Sequence, residues 1–82
     1  MSKCVLIVED EKNIVDILSF NLKREGYDTL EAYDGQTGLQ LALERNPDLV
    51  LLDLMLPKMN GFDVCKAIRA QNRSAPIIML TA

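Results

Sequence analysis

The 82-residue sequence contains no histidine and no tryptophan, and it has only two cysteines. The absence of histidine excludes imidazole catalysis and histidine-based metal sites, so we expect any acid–base or metal chemistry to rest on carboxylates. Cys4 and Cys65 lack the C-x-x-C spacing of a redox or zinc motif, and we expect both to be reduced core side chains.

Long apolar runs are also missing, because the longest ones, residues 4–8, 49–52 and 77–80, are far too short to cross a bilayer. Met1-Ser2-Lys3 leads directly into an apolar run, which argues against a secretory signal. We therefore expect a cytoplasmic chain without a membrane partner. The net charge of −3 argues against direct nucleic-acid binding by this segment. The length allows one domain at most, over residues 1–82.

Apolar periodicity predicts four strands alternating with three helices. Continuous apolar runs predict strands at residues 3–8, 48–53 and 75–81, and residues 28–32 are predicted to form a short second strand. Helical spacing predicts a first helix over residues 11–25, stopped at Gly26, with Ile14, Ile17, Leu18 and Leu22 on its apolar face. The βαβαβαβ order requires right-handed crossovers, so it predicts an α/β fold with helices on both faces of a parallel sheet.

The second and third helices have recognisable ends. The second helix follows the Asp34-Gly35 turn and ends before Pro47, with Leu39, Ala42 and Leu43 as its apolar face. Asn60 is expected to cap the third helix, with Asp63 near the positive helix end. The predicted buried face of this third helix consists of Phe62, Cys65 and Ile68.

Oxygen-bearing side chains gather at the predicted carboxyl ends of the strands, where open parallel sheets bind ligands. Strand one ends at Glu9 and Asp10, strand three at Asp53 and strand four at Thr81. If strands one and three are neighbours, three carboxylates share one rim, which is costly without a cation. An all-oxygen set suits Mg²⁺ and predicts a phosphoryl-transfer site.

Simpler interpretations of these residues remain open at this point. The acidic triplet at residues 9–11 also fits a solvated loop in which Asp10 caps the first helix. Asp53 also fits an ordinary strand-end carboxylate, and Thr81 alone is uninformative because threonine favours strands.

Three motifs together resemble the receiver domain of bacterial two-component response regulators. They are Val8-Glu9-Asp10-Glu11, the run Leu51-Leu52-Asp53-Leu54-Met55-Leu56-Pro57 with Asn60-Gly61, and Ile78-Met79-Leu80-Thr81-Ala82. The resemblance covers the whole chain, with matching order and spacing. It implies a flavodoxin-like, doubly wound sheet with strand order 2-1-3-4, lacking the family's helix four, strand five and helix five.

The resemblance also implies residue roles. Asp53 would be the phosphoacceptor, and Thr81 would contact a phosphoryl oxygen and act as the switch residue. Glu9, Asp10, Asp53 and the backbone carbonyl of Met55 would hold Mg²⁺, Glu9 directly or through water. Pro57 and Gly61 would shape the loop that frames the site. The family's strand-five lysine and aromatic switch residue have no counterpart in this sequence.

The implied partner is a sensor histidine kinase that donates the phosphoryl group from a phosphohistidine. The residues of the acidic motifs resemble those of the subfamily that has a C-terminal winged-helix DNA-binding domain. This resemblance implies transcription regulation. Such a domain is a phosphoacceptor and not an enzyme, with at most self-catalysed phosphoryl transfer and dephosphorylation.

Two other functions fit the sequence less well than this one. A haloacid-dehalogenase phosphatase needs a second carboxylate where Met55 stands, and a flavodoxin phosphate loop would not carry three acids. The alternative that stays open is an inactive folding or assembly fragment, which keeps the acidic pocket and pairs with a second copy or a fusion partner through strand four. An apolar, uncharged edge at residues 77–80 would favour such pairing.

Overall fold

The computed structural model describes residues 2–71 and 73–80, and it contains a four-stranded sheet and three helices. In chain order the elements are β1 (Cys4–Val8), α1 (Lys12–Arg24), β2 (Asp28–Ala32), α2 (Gly35–Arg45), β3 (Leu49–Asp53), α3 (Gly61–Ala70) and β4 (Ile77–Leu80). The predicted βαβαβαβ order is confirmed. Within the described residues, no helix is long and apolar enough to span a membrane.

The sheet is parallel, as the alternation of strands and helices predicts, and its strand order β2-β1-β3-β4 is the one that the resemblance to receiver domains implies. β1 and β3 are the central strands, and their register pairs Val8 with Leu52. Both strands are therefore covered on two faces, which explains their continuous apolar runs. The register also brings the residues that follow Val8 next to Asp53, at one edge of the sheet.

The two faces of the sheet carry apolar clusters of different size. On the side of α2 and α3, eight buried side chains pack together: Leu6, Val8, Ala32, Ala42, Val50, Leu52, Val64 and Ile68. On the side of α1, the buried cluster consists of Val5, Ile7 and Val15, with four half-buried leucines around it. Most of the buried apolar area therefore lies beneath α2 and α3.

Side chains and backbone conformation explain where the helices end. The Asn60 side chain accepts a hydrogen bond from the Asp63 amide at 3.0 Å, so the predicted cap of α3 is confirmed. Asp34 caps α2 in the same way through the Thr37 amide. α2 ends at Arg45, and its C-cap residue Asn46 takes the left-handed conformation before Pro47, which disfavours right-handed helical geometry at the preceding residue.

The predicted apolar faces of α1 and α3 were partly wrong. Ile14 and Ile17 are 40% and 62% exposed, whereas Val15 and Ser19 face the sheet. Phe62 is 61% exposed, because the buried residues of α3 are Gly61, Val64 and Ile68. In both helices, the residues that face the sheet are one position along the chain from some of the predicted ones. One position corresponds to a rotation of about 100° around the helix axis.

Smaller differences concern element ends and cysteines. β1 and β3 each begin one residue later than predicted, and α1 is one residue shorter at each end. β4 begins at Ile77, after Pro76, while its predicted end at Thr81 lies outside the described residues. Cys4 and Cys65 are free thiols, as expected, but both are half-buried.

Candidate acidic site at the carboxyl edge of the sheet

Glu9, Asp10 and Asp53 come together at the carboxyl edge of β1 and β3. Each offers a carboxylate oxygen, and these oxygens all lie within 4.8 Å of one another. Glu9 is buried at 6% exposure, Asp53 is half-buried and Asp10 is exposed. The three acids therefore converge on one point that solvent reaches from the side of Asp10.

The electrostatics of this cluster are unfavourable for the ionised acids. Burial, together with hydrogen-bond contact to Asp53 and Asp10, raises the pKa of the Glu9 carboxyl to about 7 from its ordinary 4.5. The Glu11 amide donates to Glu9 Oε2 at 3.3 Å, and this hydrogen bond lowers the pKa of Glu9. Its effect is smaller than the combined effect of burial and the neighbouring acids. A cation between the carboxylates would relieve this cost.

The backbone after Asp53 shapes the second side of the site. The Met55 amide donates to Asp53 Oδ1 at 3.3 Å, and the Gly61 amide donates to the Leu54 carbonyl at 2.9 Å. The Met55 side chain is 76% exposed, so this residue contributes to the site through its backbone. Gly61 lies against the backbone after β3, since a Cβ added there would overlap the Asp53 carbonyl oxygen, and Pro57 lies in the loop between Asp53 and Gly61.

A pocket of about 340 Å³ contains the three acids, and Ile14 and Leu80 also line it. Thr81 is the predicted site residue that lies outside the described residues. Sequence reasoning missed three members, the Glu11 amide and the side chains of Ile14 and Leu80. Periodicity assigned Ile14 to the core, and the Glu11 contact depends on how the chain turns after β1, which no local pattern signals. The simpler interpretation of Asp10 as a helix cap was wrong, since Glu11 is the capping position of α1 and makes no side-chain cap.

Comparison with known families gives a clear result. Residues 5–82 match the model of the response regulator receiver domain. The chain belongs to this receiver family. Receiver domains are signalling domains and not classical enzymes, so the phosphatase and flavodoxin alternatives no longer apply.

Individual relatives agree with this assignment. The chain is 50% identical, over all 82 residues, to the alkaline phosphatase synthesis transcriptional regulatory protein PhoP of Bacillus subtilis, and it spans 34% of that relative's length. A Francisella response regulator 1452 receiver domain is similar at a TM-score of 0.94 and 33% identity, covering 99% of this chain and 67% of that one. The non-phosphorylated HemR receiver domain of Leptospira biflexa is similar at a TM-score of 0.91 and 32% identity, with 99% and 65% covered.

The donor set of this receiver fits Mg²⁺. Receiver domains bind Mg²⁺ in an acidic pocket, and Glu9, Asp10 and Asp53 form such a cluster. All three side chains offer hard oxygen donors, and no nitrogen or sulfur donor stands among them. Burial is the largest cause of the raised pKa of Glu9, and the neighbouring Asp53 and Asp10 add to it, so a cation at this site would favour the ionised carboxylate.

A larger pocket, of about 700 Å³, lies at the opposite edge of the sheet. Cys4, Tyr27, Lys23 and Arg45 are among its lining residues. Burial and the nearby Asp28 and Asp48 carboxylates raise the pKa of the Cys4 thiol, so it stays protonated and is a poor nucleophile. The smaller acidic pocket is therefore the better candidate for chemistry.

Proposed function

We propose that Asp53 accepts a phosphoryl group from a phosphohistidine of a sensor histidine kinase, with Mg²⁺ held by Glu9, Asp10, Asp53 and the backbone carbonyl of Met55. The convergence of three carboxylate oxygens within 4.8 Å, at the carboxyl edge of the sheet, is the observation that carries this proposal. Strand ends at this edge are the usual ligand-binding position in open α/β sheets.

Asp53 suits the role of nucleophile better than its neighbours do. Glu9 is buried, whereas Asp53 is half-buried and borders the open pocket. One oxygen of Asp53 accepts the Met55 amide, and this orients the carboxylate. An Asp53 oxygen then forms the new bond to phosphorus while the bond to the histidine nitrogen breaks, and the electron pair leaves with the imidazole.

The remaining residues act on charge and position. Glu9 and Asp10 hold the metal, which neutralises charge on the transferring group when it is bound. Thr81 is proposed to hydrogen-bond a phosphoryl oxygen and so to sense phosphorylation. Self-catalysed phosphoryl transfer and dephosphorylation are the most that this site does as a catalyst.

The cellular setting follows from the relatives and is also a proposal. The PhoP relative is described as a transcriptional regulatory protein, and we propose transcription regulation for the protein to which this receiver belongs. We propose a cytoplasmic location. The receiver itself, at a net charge of −3, is not expected to bind nucleic acid.

Labelling by a small-molecule phosphodonor tests the phosphoacceptor. The chain is incubated with acetyl phosphate and Mg²⁺, and intact mass is recorded for the wild type and for Asp53→Asn. We expect one phosphoryl group on the wild type and none on Asp53→Asn, with Asp63→Asn as an exposed-aspartate control that still labels. Labelling that survives Asp53→Asn would rule out Asp53 as the acceptor.

Titration with Mg²⁺ tests the metal site separately. The chain has no tryptophan, so amide NMR shifts report binding. We expect the largest amide shifts at residues 9–11 and 53–56, and weaker binding in Asp10→Ala because a hard ligand is lost. If millimolar Mg²⁺ moves none of these amides, the metal assignment is wrong.

A second function, self-association through β4, is favoured by a separate observation. β4 is an edge strand of the sheet, carries no charged residue and includes Ile78 at 50% exposure. Such an edge is a template for pairing, and we propose a second copy of the chain, or a fusion partner, as the occupant. A chain that pairs in this way and binds Mg²⁺ without being labelled would be an assembly fragment.

Light scattering coupled to size exclusion tests this pairing. We expect a dimer at high protein concentration for the wild type and a monomer for Ile78→Lys, which places a charge on the outer edge. Ser74→Lys serves as a control for added charge outside the strand. A wild type that stays monomeric at every concentration would refute the pairing.

A further inference from the structure

The loop of residues 54–60 rests against the amino end of α2. The Gly35 amide, at the first position of α2, donates to the Pro57 carbonyl at 3.3 Å. Amides in the first turn of a helix have no partner within the helix, so this bond satisfies a group that would otherwise need water. The same loop makes a tight turn of its own, in which the Met59 amide donates to the Pro57 carbonyl at 2.8 Å. Pro57 thus joins the loop to a different helix.

Gly35 is the residue that allows this close approach. A Cβ atom added at Gly35 would overlap the Met59 carbonyl oxygen and would lie 2.7 Å from Met59 Cβ. The first obstacle is backbone, which cannot rotate away as the end of a long side chain can. Any larger residue at this position must therefore push the loop away from α2 or displace the start of the helix.

The loop residue between these contacts has an unusual conformation. Lys58 lies in the left-handed region at a φ of 69°, which costs an L-residue free energy. Its Nζ lies 3.9 Å from Asp34 Oδ2, but the Lys58 side chain is 63% exposed and such a pair contributes little. The backbone contact at Gly35 is therefore the stronger candidate for holding the loop.

The position of this loop bears on the acidic site. Met55 lies two residues before Pro57, and its amide bonds to Asp53 Oδ1 while its carbonyl is the proposed metal ligand. We propose that Gly35 is a positioning residue: its contact with Pro57 and Met59 sets where the loop places the Met55 backbone beside Asp53. The metal-binding part of this inference rests on the proposed function, whereas the support of the loop by α2 does not.

The test compares Gly35→Ala with Gly26→Ala in the full chain. Gly26 lies at a φ of 92°, and a Cβ there would meet nothing within 4 Å, so its replacement strains the backbone far from the loop. The Mg²⁺ dissociation constant is measured by NMR for the wild type and both variants. We expect Gly35→Ala to weaken binding by about tenfold or more, the loss usual for residues that support metal ligands. Gly26→Ala is expected to bind as the wild type does.

Metal-free spectra separate the two proposals. In EDTA, Gly35→Ala should shift the amides of residues 53–61, whereas Gly26→Ala should leave them in place. If the wild type does not bind Mg²⁺, the metal assignment fails and these spectra alone decide whether α2 supports the loop. If Gly35→Ala binds Mg²⁺ as Gly26→Ala does, or leaves residues 53–61 unmoved, the positioning role is refuted.

Two further measurements do not depend on correct folding of the Gly35→Ala variant. In the wild type, the Gly35 amide should shift on Mg²⁺ addition with the same dissociation constant as Met55, while the Gly26 amide stays still. If the Gly35 amide signal does not shift when Mg²⁺ is added to the wild type, the inference is overturned without the use of any variant. Lys58→Gly, which removes the ion pair but keeps the left-handed turn, is expected to change Mg²⁺ affinity less than twofold. A larger loss would assign the support to the Asp34 contact instead.

Discussion

Replacing Glu9 with glutamine should stabilise the metal-free chain at alkaline pH. Glu9 is 6% exposed, and its burial and the nearby Asp53 and Asp10 raise the pKa of its carboxyl from 4.5 to about 7. Between these two values the folded chain binds more protons than the unfolded chain. The free energy of unfolding therefore falls as pH rises through this window, and the loss is complete above pH 7.

The size of this effect follows from the pKa difference. A rise from 4.5 to about 7 corresponds to a cost on the order of 3 kcal/mol for ionising Glu9 in the folded chain. A chain of 82 residues has only roughly 4–12 kcal/mol of stability in total. The Glu9→Gln variant does not incur this cost, so we expect a gain of about 1–3 kcal/mol at pH 8, with most of the gain gone at pH 4.5.

Urea unfolding followed by far-ultraviolet circular dichroism, in EDTA at several pH values, measures this gain. Glu11→Gln is the matched control, because it removes an exposed carboxylate two residues away and should change stability by less than about 0.5 kcal/mol. Adding Mg²⁺ should stabilise the wild type and have much less effect on Glu9→Gln. A Glu9→Gln variant that is no more stable than the wild type at pH 8 would refute the reasoning.

Three other predictions concern the helices and are read by the same unfolding assay. Asn60→Ala should lower the free energy of unfolding by about 1 kcal/mol, because the Asp63 amide loses its cap. An unchanged unfolding midpoint would contradict the cap. Val15→Ala should cost about 2 kcal/mol and Ile17→Ala less than about 0.5 kcal/mol, and the reverse order would mean that the face of α1 is misassigned. Hydrogen bonds from Thr37 lower the pKa of Asp34, so the loss of stability in Asp34→Ala should be present above pH 3.8 and should shrink as pH falls below it. A loss of stability that grows in acid would contradict this prediction.

The strands and their order along the chain could be predicted because their signals are local, whereas the strand order within the sheet came from the resemblance to receiver domains. Runs such as Leu49 to Leu52 are apolar on both faces, and each ends at a carboxylate or a turn. The site followed, since parallel strands place their carboxyl ends at the same edge. Glu9 and Asp53 are 44 positions apart in sequence and still meet for this reason.

What could not be predicted depends on contacts between distant segments. α1 carries apolar residues around more than one face, and only packing against β1 decides that Val15 is buried and Ile17 is exposed. The sequence predicts a turn at Asp34-Gly35, but Gly35 is the first residue of α2, and its contact with Pro57 joins this helix to a loop that no periodicity links to it. The half-burial of Asp53 likewise depends on how the loop after it folds back.

The unequal clusters on the two faces of the sheet have a consequence for how the molecule opens. α1 is anchored by the cluster of Val5, Ile7 and Val15, whereas the larger cluster lies beneath α2 and α3. Elements with few buried apolar contacts detach at lower free energy than the rest of a domain. Transient release of α1 would carry away the Glu11 amide, which is bonded to Glu9. We therefore expect the hydration of Glu9, and with it the charge of the acidic pocket, to follow the transient release of α1.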